Sequence, residues 1–147
     1  MSSSLLFNIA NVYAMPLWIA AILFPNWKVT KTLFNSYLPW IPLIVLYIYY
    51  VVVSFNTETS FSLLNFGLAD VANFLSQENA AGSAWVHFLA VDLFLGRWIY
   101  WQGQEKNILT THSLLLCLFF GPVGLLSHAI TETLFGNRES ENLDTPT

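Results

Sequence analysis

The sequence contains very little charge. Asp, Glu, Lys and Arg together supply 10% of its 147 residues, whereas 55% are hydrophobic. An ordinary soluble domain carries about 25% charged residues. A chain of this composition cannot cover a core with polar surface, so we expect a lipid bilayer to be its solvent. With five basic residues and a net charge of -4, the sequence also excludes a nucleic-acid-binding surface.

The sequence has one cysteine and none of the common signatures of soluble enzymes. The single cysteine, Cys117, excludes an intrachain disulfide, a CxxC redox pair and a multi-cysteine metal site, so we interpret it as a buried structural thiol. The sequence lacks GxSxG, HExxH and any phosphate-binding glycine loop. Two histidines within apolar segments are too few to predict a metal site. We therefore expect no metal and no required cofactor.

Long hydrophobic runs dominate what is present. About 20 apolar residues cross a hydrocarbon layer roughly 30 Å thick, and four runs reach that length, at about 5–24, 37–55, 83–101 and 111–131. Apolar residues at helical spacing between 61 and 77 predict an amphipathic helix lying flat at the interface. The sequence thus predicts an all-α polytopic membrane protein, a four-helix transmembrane bundle in one domain (1–135), followed by a disordered polar tail (136–147).

The basic residues predict an orientation. Basic residues near membrane spans favour the cytoplasmic side, and Lys28, Lys31, Arg97 and Lys106 all fall on one side of the predicted bundle. The amino terminus has no basic residue, and the tail has one, Arg138, among three acidic residues. We therefore expect both termini on the outer side, which means the periplasm or the thylakoid lumen.

Asp92 is the most unusual residue within the predicted spans. It lies near the middle of the third segment, where a charge costs about 2.5 to 3.5 kcal/mol even on the lenient insertion scale. It therefore needs a partner on another helix. A carboxyl in an apolar site keeps its proton and can act as a general acid. The alternative is a structural acid that locks helices together.

Other polar residues are predicted to form an outer pocket. In a bundle of straight helices, His87 and His128 lie at nearly the same depth as Asn8 and Asn11, with Asp92 as the floor. The histidines are candidates for an acid and a base, for axial ligands of a chlorophyll magnesium, or for simple packing. Tyr13 on the first segment reaches the level of Asp92. The third segment ends near Arg97, which either contacts substrate or extends to the headgroups. Pro16 and Pro122 should kink their helices at mid-depth.

Several segments resemble a known family. They include FNIAN at residues 7–11, PNWK at 25–28, AWVHFLAVDLFLGRWIY at 84–100 and HSLLLCLFFGPVGLLSH at 112–128. These resemble the neoxanthin-synthase-like family, proteins of photosynthetic membranes that plants need to convert violaxanthin to neoxanthin. The family pattern falls on Asn8, Asn11, His87, Asp92, Arg97, His112 and His128. Because the first apolar segment starts almost at once, we expect a cyanobacterial member without a plastid transit peptide.

The resemblance and the buried polar groups suggest a xanthophyll isomerase that needs no redox cofactor. In this hypothesis Asp92 donates a proton and His87 or His128 is the base. The substrate, a carotenoid, would contact Asn8, Asn11, Tyr13 and Arg97. The rival hypothesis is a non-enzymatic protein that binds carotenoid or chlorophyll, or that assembles with subunits of a photosynthetic complex. A small transporter is a weaker third alternative, because four short helices leave little room for alternating access.

Overall fold

The computed structural model describes residues 2–56 and 67–136, and every regular element within them is helical. The predicted all-α class is therefore confirmed for the described residues. The helices are α1 (Ser3–Leu23), α2 (Lys28–Asn35), α3 (Ile41–Asn56), α4 (Leu68–Leu75), α5 (Glu78–Glu105), α6 (Thr111–Phe119) and α7 (Gly121–Phe135), with a short 3-10 turn, Leu38–Trp40, before α3.

Two helical segments among the described residues are long and apolar enough to cross a membrane. They are Ser3–Leu23, of 21 residues, and Leu38–Asn56, of 19 residues. Both match apolar runs in the sequence. Pro39 lies in the first turn of the second segment, where a missing N–H is tolerated. Pro16 lies inside α1 without ending it.

Helix α5 is longer and more polar than the predicted third segment. Its 28 residues extend over about 42 Å at a rise of 1.5 Å per residue. Both of its ends are acidic, Glu78 and Glu105, and Asp92 and Arg97 lie between them.

The prediction of one helix over 111–131 is wrong, because this segment is a helical hairpin. Phe120 separates α6 from α7 with φ -147° and ψ 81°. The imidazole Nε2 of His112 lies 2.8 Å from Oγ1 of Thr131. A straight helix would separate two residues 19 positions apart by about 28 Å. Pro122 lacks an N–H, and in a continuous helix its ring would clash with the carbonyl four residues earlier, so the helix is interrupted before it.

Small and hydroxyl side chains hold the two arms of the hairpin together. Oγ of Ser113 lies 3.0 Å from Oγ of Ser127. A β-carbon on Gly124 would come within 2.5 Å of the Cα of Cys117, so only glycine allows this approach. The end of α7 therefore returns to the level where α6 begins.

The chain divides into two compact units. Unit 1 comprises Met1–Met15 and Ser36–Val91, and unit 2 comprises Pro16–Asn35 and Asp92–Thr147. The buried core of unit 1 contains Ala10, Leu43, Tyr50, Ala80 and Val86. That of unit 2 contains Trp18, Phe34, Leu93, Ile99, Leu114, Cys117 and His128.

Two predicted segments lie partly outside the described residues. The expected interfacial helix over 61–77 contributes α4, Leu68–Leu75, whose side chains are mostly exposed, while 61–66 lie outside. Of the expected tail, only Gly136 is described.

Candidate functional site

Asp92 of unit 2 lies on α5, beside the tip of the α6–α7 hairpin. Its side chain is half-buried, and its carboxylate lies so close to Gly121 that a β-carbon there would overlap one of the carboxylate oxygens. The thiol of Cys117 donates to the backbone carbonyl of Asp92 at 3.4 Å. Both arms of the hairpin therefore contact α5 at this residue.

The start of α7 provides an electrostatic partner for this carboxyl. Gly121 is the first residue of the 15-residue α7. The amino-terminal end of a helix carries about half a positive charge, which favours a nearby anion. The arrangement therefore favours the negative charge that forms on Asp92 when the carboxyl gives up its proton.

His128 is a second titratable residue of interest in unit 2. Its side chain is completely buried, and its ring packs edge-on against Trp98 with a centroid distance of 5.2 Å. Its Nε2 lies 3.9 Å from Oε2 of Glu132. Within the described part of the chain, neither ring nitrogen has a hydrogen-bond partner. A buried imidazole in this state retains its capacity to bind a proton or another polar group.

The predicted depth of His128 is wrong. A straight fourth helix would carry it away from Lys106, but the hairpin returns it toward that end of unit 2, where Lys106 forms an ion pair with Glu132. From Gly121 to His128 is seven residues, or about 10 Å along α7. Asp92 and His128 therefore lie too far apart to act directly on neighbouring atoms of one substrate.

His87 of unit 1 lies in a different environment. Its side chain is exposed, and its ring packs against Tyr47 at 5.5 Å and Phe88 at 6.2 Å. The outer pocket predicted from the sequence requires both histidine rings to be enclosed. His87 does not meet this condition.

The polar residues of α1 in unit 1 make local contacts. The Asn11 amide donates to the Phe7 carbonyl at 2.8 Å, and its oxygen accepts from the indole N–H of Trp85 at 3.0 Å. Asn8 is exposed. The Tyr13 hydroxyl donates to the Pro39 carbonyl at 3.0 Å. These bonds hold α1 against α5 and the 3-10 turn within unit 1, and a role for these residues in substrate binding stays a prediction.

Arg97 contacts the end of α2. Its Nε donates to the Phe34 carbonyl at 2.6 Å, and the indole N–H of Trp101 donates to the same oxygen at 3.0 Å. The final carbonyls of a helix have no partner within the helix and attract a cation. Arg97 thus holds α2 against α5 within unit 2. Contact with substrate stays a prediction for this residue too.

The sequence interpretation does not predict the contact between α6 and α7, although the sequence contains a signal for it. Ser113 and Cys117 are four residues apart on α6, and Gly124, Ser127 and Thr131 follow at steps of three and four on α7. Such a stripe of small and hydroxyl residues is typical of closely packed membrane helices. No group of three or more potential metal ligands occurs in residues 2–56 and 67–136.

Comparison with known proteins identifies the family. Residues 5–128 match the family described as ABA DEFICIENT 4-like. The Arabidopsis thaliana protein "Protein ABA DEFICIENT 4, chloroplastic" is 36% identical over 141 residues, which cover 92% of this chain and 64% of that protein. The chain therefore spans somewhat less than two thirds of that relative's length. No solved structure matches the chain. The family resemblance noted in the sequence is thereby confirmed, and the chain belongs to the ABA DEFICIENT 4-like family.

Proposed function

We propose that this chain is an integral membrane isomerase that converts an epoxycarotenoid into its allenic isomer. Family membership and the resemblance to neoxanthin synthase support the substrate class, a xanthophyll. The observation that carries the reaction chemistry is the Asp92 carboxyl against Gly121 at the tip of the hairpin. An isomerase of this kind needs a proton donor near the epoxide oxygen and no redox cofactor.

The reaction balances as an internal rearrangement. A base removes the proton from the polyene carbon next to the epoxide, and the electrons of the broken C–H bond form the second double bond of the allene. The adjacent C–O bond of the epoxide breaks, and its electrons stay on oxygen. The acid protonates this oxygen, which becomes a hydroxyl group. One proton leaves and one arrives, so substrate and product are isomers.

Asp92 has the geometry to act as the proton donor, and we assign it the role of the base as well. The sequence hypothesis placed the base on His87 or His128. His128 lies about two helical turns from the level of Gly121, and His87 is exposed. A carboxyl group has two oxygens, so one can deliver a proton while the other accepts one. The positive end of α7 stabilises the carboxylate between these two transfers.

The membrane architecture that supports this proposal differs from four straight spans. We propose that α1, the segment Leu38–Asn56 and α5 cross the bilayer, while α6 and α7 form a re-entrant hairpin. Non-helical backbone at membrane depth must have its polar groups paired within the protein. At the Phe120 break the backbone N–H donates to the Leu116 carbonyl at 2.7 Å, and the Phe120 carbonyl accepts from the N–H groups of Val123 and Gly124. The basic residues still favour an outer amino terminus. The end of α7 lies beside Lys106, so we expect it on the cytoplasmic or stromal side.

A pigment-binding protein is the second candidate, and His87 favours it. An exposed imidazole between Tyr47 and Phe88 is accessible from the lipid side, where a chlorophyll magnesium needs an axial nitrogen. The absorption spectrum of protein purified in mild detergent separates the two candidates. Stoichiometric pigment that is lost in His87→Ala, together with no turnover of epoxycarotenoid, supports pigment binding. Turnover that is lost in Asp92→Asn supports the isomerase.

A further inference from the structure

Unit 2 contains a cavity that the proposed reaction does not use. It has a volume of about 320 Å³ and lies between the turn that joins α1 to α2 and the loop that joins α5 to α6. We call it the loop cavity. Its polar lining comes from Asn26, Gln104, Asn107, Thr110 and Thr111, and the other lining residues are apolar or glycine. None of these lining residues is charged.

The loop cavity offers unused hydrogen-bonding groups. Three side-chain amides line it, from Asn26, Gln104 and Asn107. No hydrogen bond within the described ranges, 2–56 and 67–136, engages any of these amide side chains. Each amide both donates and accepts. A neutral group with hydroxyls can satisfy these amides, whereas an anionic phosphate would lose hydration without gaining a cation.

An apolar cavity adjoins the loop cavity. It has a volume of about 570 Å³, is lined by Leu23, Phe24, Pro25, Asn26 and Trp27, and shares Pro25 and Asn26 with the loop cavity. Phe24 and Trp27 are both more than half exposed. Tryptophan is enriched where a membrane meets water, because its ring is amphipathic. A polar cavity beside an apolar one matches a ligand with a small neutral head and a hydrocarbon body.

We propose that the loop cavity binds the neutral, hydroxyl-bearing head of a membrane lipid, with its hydrocarbon part along Phe24 and Trp27. At 320 Å³ the cavity lies at the small end of the range for ligand pockets, so it accepts one ring and not a whole lipid. Two lipids share this chemistry, a galactolipid through its sugar and a xanthophyll through its hydroxylated end ring. The site does not involve Asp92 and stands independently of the proposed isomerase.

Native mass spectrometry of the full chain in detergent tests the proposal. Delipidated protein is titrated with a monogalactosyl lipid, with a dihydroxylated xanthophyll and with phosphatidylglycerol. We expect the loop cavity to bind one molecule of a neutral lipid more tightly than it binds phosphatidylglycerol. The double variant Asn26→Leu, Gln104→Leu should weaken that binding about tenfold, because two hydrogen bonds are lost. Preference for the galactolipid or for the xanthophyll identifies the source of the head.

Glu105→Gln is the matched control, because Glu105 is exposed on α5 next to Gln104 but does not line the cavity. It should bind the neutral lipid like the unsubstituted protein. Thermal unfolding in the same detergent shows that the double variant is folded; if it is not, the single variant Gln104→Leu takes its place, with a loss of about threefold. Unchanged binding in a folded variant, or tighter binding of phosphatidylglycerol, overturns the proposal.

Discussion

The carboxylate of Asp92 lies against the α-carbon of Gly121, at the point where the chain reverses between α6 and α7. The contact requires a residue without a side chain, because a β-carbon would occupy the position of the carboxylate oxygen. The same contact places the acid at the positive end of a helix. The position of the candidate catalytic acid therefore depends on the hairpin, and the close approach of the hairpin to α5 depends on glycine at residue 121.

Gly121→Ala should displace the Asp92 carboxyl. Because the new methyl group overlaps a carboxylate oxygen, we expect a loss of about 1 to 3 kcal/mol in unfolding free energy and a large fall in epoxycarotenoid turnover. Thermal unfolding in detergent and product analysis measure the two effects. Gly67→Ala is the control, since a β-carbon there would lie 3.3 Å from the flexible end of Asp70. Equal turnover in both variants would show that the contact with Gly121 is unimportant.

The hairpin itself can be tested by a disulfide. In a Cys117→Ala background, Ser113→Cys and Ser127→Cys should oxidise to a disulfide, because the two hydroxyl oxygens lie 3.0 Å apart. In a straight helix these residues would lie about 21 Å apart, whereas a disulfide needs Cα atoms within about 7 Å. Ser113→Cys with Thr133→Cys is the control pair and should stay reduced. Mobility on non-reducing gels reports the bond, and no disulfide in the first pair would contradict the hairpin.

Arg97→Met should affect stability more than substrate affinity. The substitution removes the hydrogen bond from Nε of Arg97 to the Phe34 carbonyl, a charged bond worth about 1.5 to 3 kcal/mol. We expect a lower unfolding temperature and an unchanged KM. Trp101→Phe removes the second donor to the same oxygen and serves as the comparison, with a smaller loss. A raised KM with unchanged unfolding temperature in Arg97→Met would instead support the sequence hypothesis of substrate contact.

The ion pair at the open end of the hairpin should make stability depend on pH. The hydrogen bond from Lys106 lowers the pKa of Glu132 below its ordinary value of 4.5 in the folded protein. A carboxyl whose pKa is lowered on folding stabilises the folded state above its unfolded pKa, and this stabilisation is lost as the pH falls through the folded pKa. The pair is partly exposed, so the expected contribution is at most about 1 kcal/mol. Between pH 7 and pH 3, Glu132→Gln should lose less unfolding free energy than the unsubstituted protein. Identical pH profiles of the two proteins would exclude a contribution of this ion pair to stability.

Much of the fold could be predicted because long apolar runs determine α1 and α3. The hairpin could not be predicted, because the run 111–131 is apolar whether its helix continues or the chain reverses. Proline at 122 predicts an interruption, but the angle at Phe120 depends on packing of Ser113 against Ser127 and of Gly124 against Cys117, which periodicity does not encode.

The candidate site shows the same division. The sequence identifies Asp92 because a charge in an apolar segment is costly, and in the structure its carboxylate lies beside the break between α6 and α7. The sequence predicts the wrong depth for His128, because residue number gives depth only along a straight helix. His87 and His128 differ in burial, which the residue type alone cannot reveal.

Epoxycarotenoid isomerisation by purified protein in lipid vesicles tests the role of Asp92 most directly, with Asp92→Asn compared with the exposed-site control Glu105→Gln. Conversion of violaxanthin to its allenic isomer is followed by chromatography. We predict that Glu105→Gln and His128→Ala retain turnover if they remain folded, whereas folded Asp92→Asn loses it, since an amide cannot donate or accept the proton as a carboxyl does. Full turnover by Asp92→Asn would exclude Asp92 as the proton donor.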